Sequence, residues 1–351
     1  MKRHILMTSL MAFALTANAQ DKKTTIELPQ WVKDIKLSGF AMLQYQGHDK
    51  ESAHENTFQL RMARVSLDGR ISDFQWKVQM QVNGNTSTLG SSPRLVDLWG
   101  EWQRLDFFRV KAGQFKRSFS FENPMNPITQ GFMSYSQPIS KLVGFSDRTG
   151  EHPSNGRDIG IQIQGDFLKN ANGRNLLHYQ IGIFNGEGIN TKDADNRKDI
   201  IGGLWVMPVK GLRIGAFGWT GSQVINGESM PKNRYAFSAE YMTDNDWTFR
   251  SEYVHSHGYG IKAEAGDKAD GFYALCIAPV IEKKLHVKAR YDIYRDRKEW
   301  STSKTNYEIG ADYMFNKNLQ LNIEYARVHD KTIASDKHGY NLIDVELDFR
   351  F

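Results

Sequence analysis

The sequence has little of what helical membrane proteins and disulfide-stabilised domains are built from. It contains one cysteine, Cys276, in 351 residues, so no disulfide can form within a single chain. It has no run of about 20 apolar residues, the length that a membrane-spanning helix requires. Its 45 basic and 40 acidic side chains nearly balance, which gives no support for a nucleic-acid partner.

The first 19 residues are typical of a secretory signal peptide. Lys2 and Arg3 form a basic start, an apolar stretch follows over residues 5–15, and the small residues Ala17 and Ala19 come next. We expect cleavage near Ala19. Residues 20–34 are predicted to form a short periplasmic segment before the main fold, which then comprises residues 35–351.

Alternation of apolar and polar residues dominates the remaining chain. In "KLHVKARYDIYRD" the apolar positions from Leu285 to Ile293 alternate with charged or polar positions from His286 to Tyr294. A period of two is typical of a β-strand with two different faces. Sixteen such segments are predicted, at 35–46, 58–68, 74–83, 95–104, 108–119, 157–167, 176–184, 200–207, 212–219, 234–242, 247–255, 270–278, 285–294, 306–315, 319–328 and 340–351.

The links between these segments alternate between long and short. The links at 84–94, 120–156, 185–199 and 220–233 are long, whereas those such as "TDND" and "NKN" are short. Alternate links lie at opposite ends only in an up-and-down antiparallel sheet. All nine prolines fall outside the interiors of the predicted strands, where each would remove a ladder hydrogen bond.

The strand pattern predicts an all-β fold, a 16-stranded antiparallel transmembrane β-barrel with long extracellular loops and short periplasmic turns. An even strand count, alternation of apolar and polar faces, and aromatic residues near strand ends are features of such barrels. A closed barrel also pairs every backbone group, as hydrocarbon demands. Sixteen strands leave an aqueous channel, which predicts passive diffusion of small polar or anionic solutes through the outer membrane.

The last strand, "NLIDVELDFRF", fits this barrel. Its apolar residues, among them Ile343, Phe349 and Phe351, are expected to face lipid, and its charged residues are expected to face the lumen. Closure predicts that it pairs with the segment at 319–328 and with "IKLSGFAMLQYQ" across the seam.

The longest link, 120–156, is predicted to fold into the pore and narrow it, because a loop of this length needs an explanation. A surface loop or a subunit contact remains an alternative. Basic side chains that could select anions lie on the preceding strand and around this link. They are Arg109, Lys111, Lys116, Arg117, Lys141, Arg148 and Arg157. Acidic residues such as Glu122 and Asp158 are interspersed, so for any single basic residue we favour an ion pair that braces the loop against the wall.

The stretches "FQLRMARVSLDG", "RVKAGQFKRSFSFEN" and "GRDIGIQIQGDF" resemble the phosphate-selective porins O and P. The resemblance implies a trimeric, sixteen-stranded porin in the outer membrane of a Gram-negative bacterium. It further implies basic residues on inward-folded loops that bind phosphate-like anions. Lys116, Arg117 and Arg157 fall within the matched stretches. The C-terminal Phe349 and Phe351 resemble the signal that barrels present to the outer-membrane assembly machinery.

The sequence also permits functions other than a channel. A barrel enzyme would need a catalytic constellation at the rim, and His255 and His257 in "YVHSHGYG" have no evident orienting acid. Asp193, Asp195 and Asp199 lack the spacing of a calcium loop. A general or oligosaccharide-type porin without phosphate selectivity, or an adhesion barrel, stays open. We therefore predict no catalytic residue, no metal and no cofactor.

Overall fold

The computed structural model describes residues 34–51, 55–83, 93–144, 155–225, 228–258, 268–334 and 337–351. These residues form sixteen strands, one short α-helix and two 3-10 helices. The strands are β1 (Lys36–His48), β2 (Glu55–Ile71), β3 (Phe74–Gln81), β4 (Arg94–Leu105), β5 (Phe108–Lys116), β6 (Arg157–Lys169), β7 (Asn175–Phe184), β8 (Asp199–Val206), β9 (Leu212–Ile225), β10 (Glu228–Met242), β11 (Thr248–Gly258), β12 (Lys268–Ile281), β13 (Leu285–Arg295), β14 (Ser303–Asn316), β15 (Leu319–Asp330) and β16 (Gly339–Arg350). The helices are α1 (Gln137–Leu142) and the 3-10 helices Asp296–Lys298 and Trp300–Thr302.

The sixteen strands form one closed antiparallel barrel, as predicted. Each strand pairs with its neighbours in the chain, and β1 closes the sheet by pairing with β16 from Phe40–Arg350 to His48–Leu342. Beyond this register, Gly39 and Phe351 exchange two backbone hydrogen bonds of 3.1 Å. The predicted neighbours of the last strand are therefore confirmed. No described helix is both long and apolar enough to cross a bilayer.

The two faces of the sheet follow the predicted alternation. On β13, Val287 and Tyr291 are exposed on the outside, whereas Lys288, Arg290 and Asp292 are buried on the inside. On β16, the outward Ile343 and Phe349 likewise alternate with buried carboxylates. This pattern places apolar side chains toward lipid and charged side chains toward the lumen.

Three details of the predicted strands were wrong. The strand at 108–119 ends at Lys116, and directly after it Phe119 N donates to the carbonyl of Arg117 at 2.9 Å in a tight turn that leaves the sheet. The link at 220–233 is mostly strand, since β9 and β10 extend to Ile225 and Glu228. Two prolines therefore lie within strands. Pro231 pairs with Ser222 of β9, and it lies just beyond the last described pair between β10 and β11, Lys232 with Gly258. Pro279 lies at a register shift between β12 and β13.

In the sequence, the segment "QLRMARVSLDG" has two possible phases of apolar and polar alternation. A register shift in the structure explains this ambiguity. Met42 pairs with Met62 and Leu43 with Leu60, so Arg61 is the extra residue of a bulge in β2. The alternation changes phase there, which lets Arg61 reach Glu346 on β16 at 2.9 Å.

The segment after β5 packs against the inner wall of the barrel. Its apolar side chains contact inward-facing residues of β7–β13 and form the main buried apolar cluster. The segment contributes Phe119, Phe121, Phe132, Ile139, Leu142 and Val143, and the wall contributes among others Phe184, Phe217, Trp219, Tyr273 and Leu275. The inner wall is therefore apolar over this part of the barrel, where the alternation alone predicts a polar lining.

Candidate solute pathway in the barrel interior

Backbone amides of the segment after β5 bond to carboxylates on the far wall. Phe121 N donates to Glu252 at 2.9 Å, and Met133 N donates to Glu324 at 2.8 Å. Gln137 N, at the start of α1, donates to Asp292 at 2.8 Å. Each carboxylate thus provides an acceptor for a backbone N–H group of this irregular segment. These contacts hold residues 121–137 across the barrel interior.

A cavity of about 290 Å³ lies between this segment and the inner face of β2–β7, and we call it the basic cavity. Six cationic side chains line it, and Asp97 is the single carboxylate among its lining residues. The cations are Arg64, Lys77, Lys111, Lys116, Arg117 and Arg157. The lining also includes Trp99, Phe115, the glutamines at 79, 162, 164 and 180, Ser118 and residues 124–127.

Arg64 carries a charge that is balanced only in part, by Asp97 in the same cavity. Its side chain on β2 is 1% exposed, and both Nε and Nη2 donate to the amide oxygen of Gln81 at 3.2 Å. Among the described residues, Arg64 forms no ion pair. A buried guanidinium bonded to a neutral amide keeps most of its field for an anion that approaches it.

Lys111 on β5 is the second such cation. Its Nζ lies 3.8 Å from the ring centroid of Trp99 and 5.0 Å from that of Phe115. No ion pair joins Lys111 to any residue that the structure describes. Aromatic faces hold an ammonium in place without cancelling its charge, so Lys111 presents a positioned cation to the cavity.

Arg157 and Arg117 take part in ion pairs. Arg157 donates to both carboxylate oxygens of Asp97, at 2.7 and 3.0 Å. Arg117 lies 3.0 Å from Asp158, and both side chains are 0% exposed. Arg117 also donates to the carbonyl of Val143. The Arg117–Asp158 pair braces the segment against β6, whereas the Arg157–Asp97 pair joins β6 to β4 within the wall.

Lys116 binds the loop backbone. Its Nζ donates to the carbonyl of Asn123 and to the hydroxyl of Tyr135, both at 2.7 Å. Tyr135 in turn donates to the carbonyl of Met125. Burial raises the pKa of Tyr135 above its usual value, which favours the neutral hydroxyl. Lys116 therefore fixes the loop beside the basic cavity.

Two other predicted site residues, Arg109 and Lys141, do not line the basic cavity. Arg109 pairs with Asp166 at 2.7 Å. Lys141 lies in the last turn of α1. Arg148 is outside the described residues. The predicted group is therefore brought together only in part, through Lys111, Lys116, Arg117 and Arg157.

Sequence reasoning missed Arg64 and Lys77 as cavity residues. Lys77 alternates clearly with outward-facing neighbours and could have been assigned to the lumen, where it pairs with Asp68 at 3.1 Å. Arg64 could not, because the bulge at Arg61 leaves two phases open for β2. Trp99 also lines the cavity, and the alternation along β4 could have assigned it to the lumen.

The histidine pair and the aspartate-rich loop, which the sequence offered as alternative sites, make ordinary structural contacts. His255 stacks on Tyr235, with ring centroids 4.8 Å apart. Asp199 is buried and lies 3.1 Å from Lys232, and Asp195 accepts from Ser222 at 2.8 Å. Over the described part of the chain, no three histidine, cysteine or acidic side chains are grouped to hold a metal ion.

Comparisons with known proteins place the fold. Residues 7–333 match the family described as Gram-negative porin. The anion-selective porin from Comamonas acidovorans is similar at 13% identity, with a TM-score of 0.69 over 90% of this chain and 99% of that chain. The outer membrane channel DcaP of Acinetobacter baumannii is similar at 11% identity, with a TM-score of 0.62 over 91% and 97%.

The trimer form of OmpT from Vibrio cholerae is similar at 10% identity, with a TM-score of 0.59 over 90% of this chain and 99% of that chain. No curated protein sequence matches the chain. The resemblance to phosphate-selective porins stays a prediction, because the matched family is broader. With a family match over most of its length and a closed sixteen-stranded barrel, the chain belongs to the Gram-negative porin family.

Proposed function

We propose that this outer-membrane porin conducts small anions, phosphate among them, in preference to cations. The observation that carries the proposal is the lining of the basic cavity, where six cationic side chains face one carboxylate. Some of these cations are held by Asp97 and by Asp158, but Arg64 and Lys111 are not. Guanidinium and ammonium groups replace part of the hydration shell of an anion, which makes its passage more favourable than that of a cation.

Arg64 and Lys111 suit oxyanions in different ways. Arg64 presents a planar fork that matches the geometry of phosphate or carboxylate, whereas Lys111 acts as a point charge. The neighbouring glutamines donate additional hydrogen bonds. The anion-selective porin that this chain resembles in fold gives independent support for the charge preference.

The segment from residue 117 to residue 144 is proposed to narrow the pathway. Its contacts with Glu252, Glu324 and Asp292 span the interior and leave the basic cavity along one wall. Solutes would then pass beside Lys111 and Arg64. The long links are assigned to the extracellular side and the short turns to the periplasmic side, as in other bacterial barrels.

The remaining assignments extend the same proposal. The chain is inserted after cleavage near Ala19, Phe349 and Phe351 serve as the signal for the assembly machinery, and the porin is a homotrimer, as the trimer form of OmpT is. Its partners are small solutes, outer-membrane lipid and that machinery. The proposed transport is passive and requires neither an enzymatic step nor a cofactor.

A porin without phosphate selectivity is the second candidate, and one observation favours it. Asp344, Glu346 and Asp348 face the lumen from β16, so one wall is acidic. A weakly selective pore would give a reversal potential near zero in a salt gradient.

Planar bilayers test the proposal directly. The purified porin should give stable conductance steps, a reversal potential of anion-selective sign in a potassium chloride gradient, and partial block by millimolar phosphate. Anion preference without phosphate block would support the second candidate. Cation preference, or no conductance, would contradict the proposed function.

A further inference from the structure

A second cavity, of about 330 Å³, lies against the inner face of β13–β16, and we call it the acidic vestibule. It is bounded by residues 127–133 and by the ends of β13–β16 that lie next to the short turns. Four carboxylates line it, those of Asp246, Asp312, Glu346 and Asp348. Its charge is therefore opposite to that of the basic cavity.

Three of these carboxylates have cationic or titratable partners. Asp246 and Asp312 share one imidazole, with His286 Nε2 2.7 Å from Asp246 and Nδ1 3.0 Å from Asp312. Glu346 pairs with Arg61 at 2.9 Å. Two carboxylates on one imidazole leave a net negative charge, even when the imidazole is protonated.

Asp348 has no such partner. Its side chain is 1% exposed, and its Oδ2 accepts one hydrogen bond from the amide of Asn322 at 3.0 Å. Its Oδ1 is buried and accepts none. No ion pair joins Asp348 to any described residue. A buried carboxylate oxygen without a donor is costly, and a cationic donor that enters the vestibule would remove that cost.

Arg350 does not fill this role. It lines the same vestibule, but its Nη2 donates to the carbonyl of Ile128 at 3.1 Å and to the side chain of Gln320. Neutral oxygens therefore hold this guanidinium through Nη2, and its Nε is buried without a hydrogen-bond partner among the described residues. The vestibule also has an apolar part, formed by Ile128, Phe132, Met133 and Met314, which could contact a short alkyl chain.

We propose that the acidic vestibule is a binding site for small primary alkylammonium ions. The ammonium donates to Asp348, its charge is balanced by the excess carboxylates, and its alkyl part lies on the apolar side. A charge-assisted hydrogen bond of this kind requires an N–H donor as well as a positive charge. The proposal is independent of the anion preference, because the charged residues of the vestibule are different from those of the basic cavity.

Single-channel block by two organic cations tests this site. n-Propylammonium has three N–H donors, whereas tetramethylammonium has the same charge and none. Propylammonium added on the periplasmic side should bind with at least about fivefold higher affinity, as one charge-assisted hydrogen bond predicts. In Asp348→Asn this preference should disappear. Equal affinities for both cations in the natural protein would overturn the proposal without any variant, and so would an unchanged preference in a conducting Asp348→Asn porin.

Discussion

Replacement of Lys111 by glutamine should lower the anion preference of the pore. Lys111 projects into the basic cavity, and its ammonium rests on Trp99 at 3.8 Å, with no described carboxylate in an ion pair. A monovalent anion that passes at about 5 Å through water gains about 0.8 kcal/mol from one such charge. That free energy corresponds to an about fourfold lower anion permeability in Lys111→Gln.

The assay is the reversal potential in a potassium chloride gradient, measured at low ionic strength because salt screens the charge. Lys210→Gln is a matched control. Lys210, in the turn between β8 and β9, pairs at 2.6 Å with Asp244, in the turn between β10 and β11, and both side chains are highly exposed. It should leave the reversal potential unchanged. If Lys111→Gln conducts normally and keeps the natural reversal potential, then Lys111 does not line the narrow path and the reasoning fails.

Three further predictions concern the barrel itself. Arg117→Met should destabilise the porin by about 3–5 kcal/mol, because it removes the guanidinium that pairs with the buried Asp158 carboxylate, and a natural unfolding temperature in detergent would contradict this. Gly113→Ala should reduce refolding yield, since residue 113 has a φ of 127° and an added Cβ would lie 2.2 Å from the carbonyl oxygen of Leu98. Gly218→Ala is the control, because its added Cβ would meet no atom within 4 Å and its backbone is not left-handed. Deletion of Phe351 should lower the amount of assembled porin in outer-membrane fractions, because its backbone pairs with Gly39; undiminished assembly would refute its role as a signal.

The barrel could be predicted from the sequence because its determinants are local. A side chain of β13 such as Lys288 or Arg290 faces inward because its two neighbours face lipid, and this rule needs no knowledge of distant residues. The same rule identified Lys111 as a lumen residue. The alternation of long and short links then fixed the antiparallel order.

The details of the site depend on contacts between distant residues, which alternation does not encode. Arg117 finds Asp158 across the loop, and Arg157 finds Asp97 on β4. Phe217 and Trp219 point inward, as the strand period allows, and the loop covers them. The alternation alone did not predict an apolar lining on this part of the wall. Helix α1 carries a proline in its first turn, a signal that could have indicated a helix start.

The most direct test of the central claim is the charge preference of the purified porin in a planar bilayer. With six cationic side chains and one carboxylate around the basic cavity, the reversal potential in a potassium chloride gradient should have the sign of chloride permeation. It should shift toward zero in Arg64→Gln and Lys111→Gln. A reversal potential of the sign of potassium permeation in the natural protein would contradict the account.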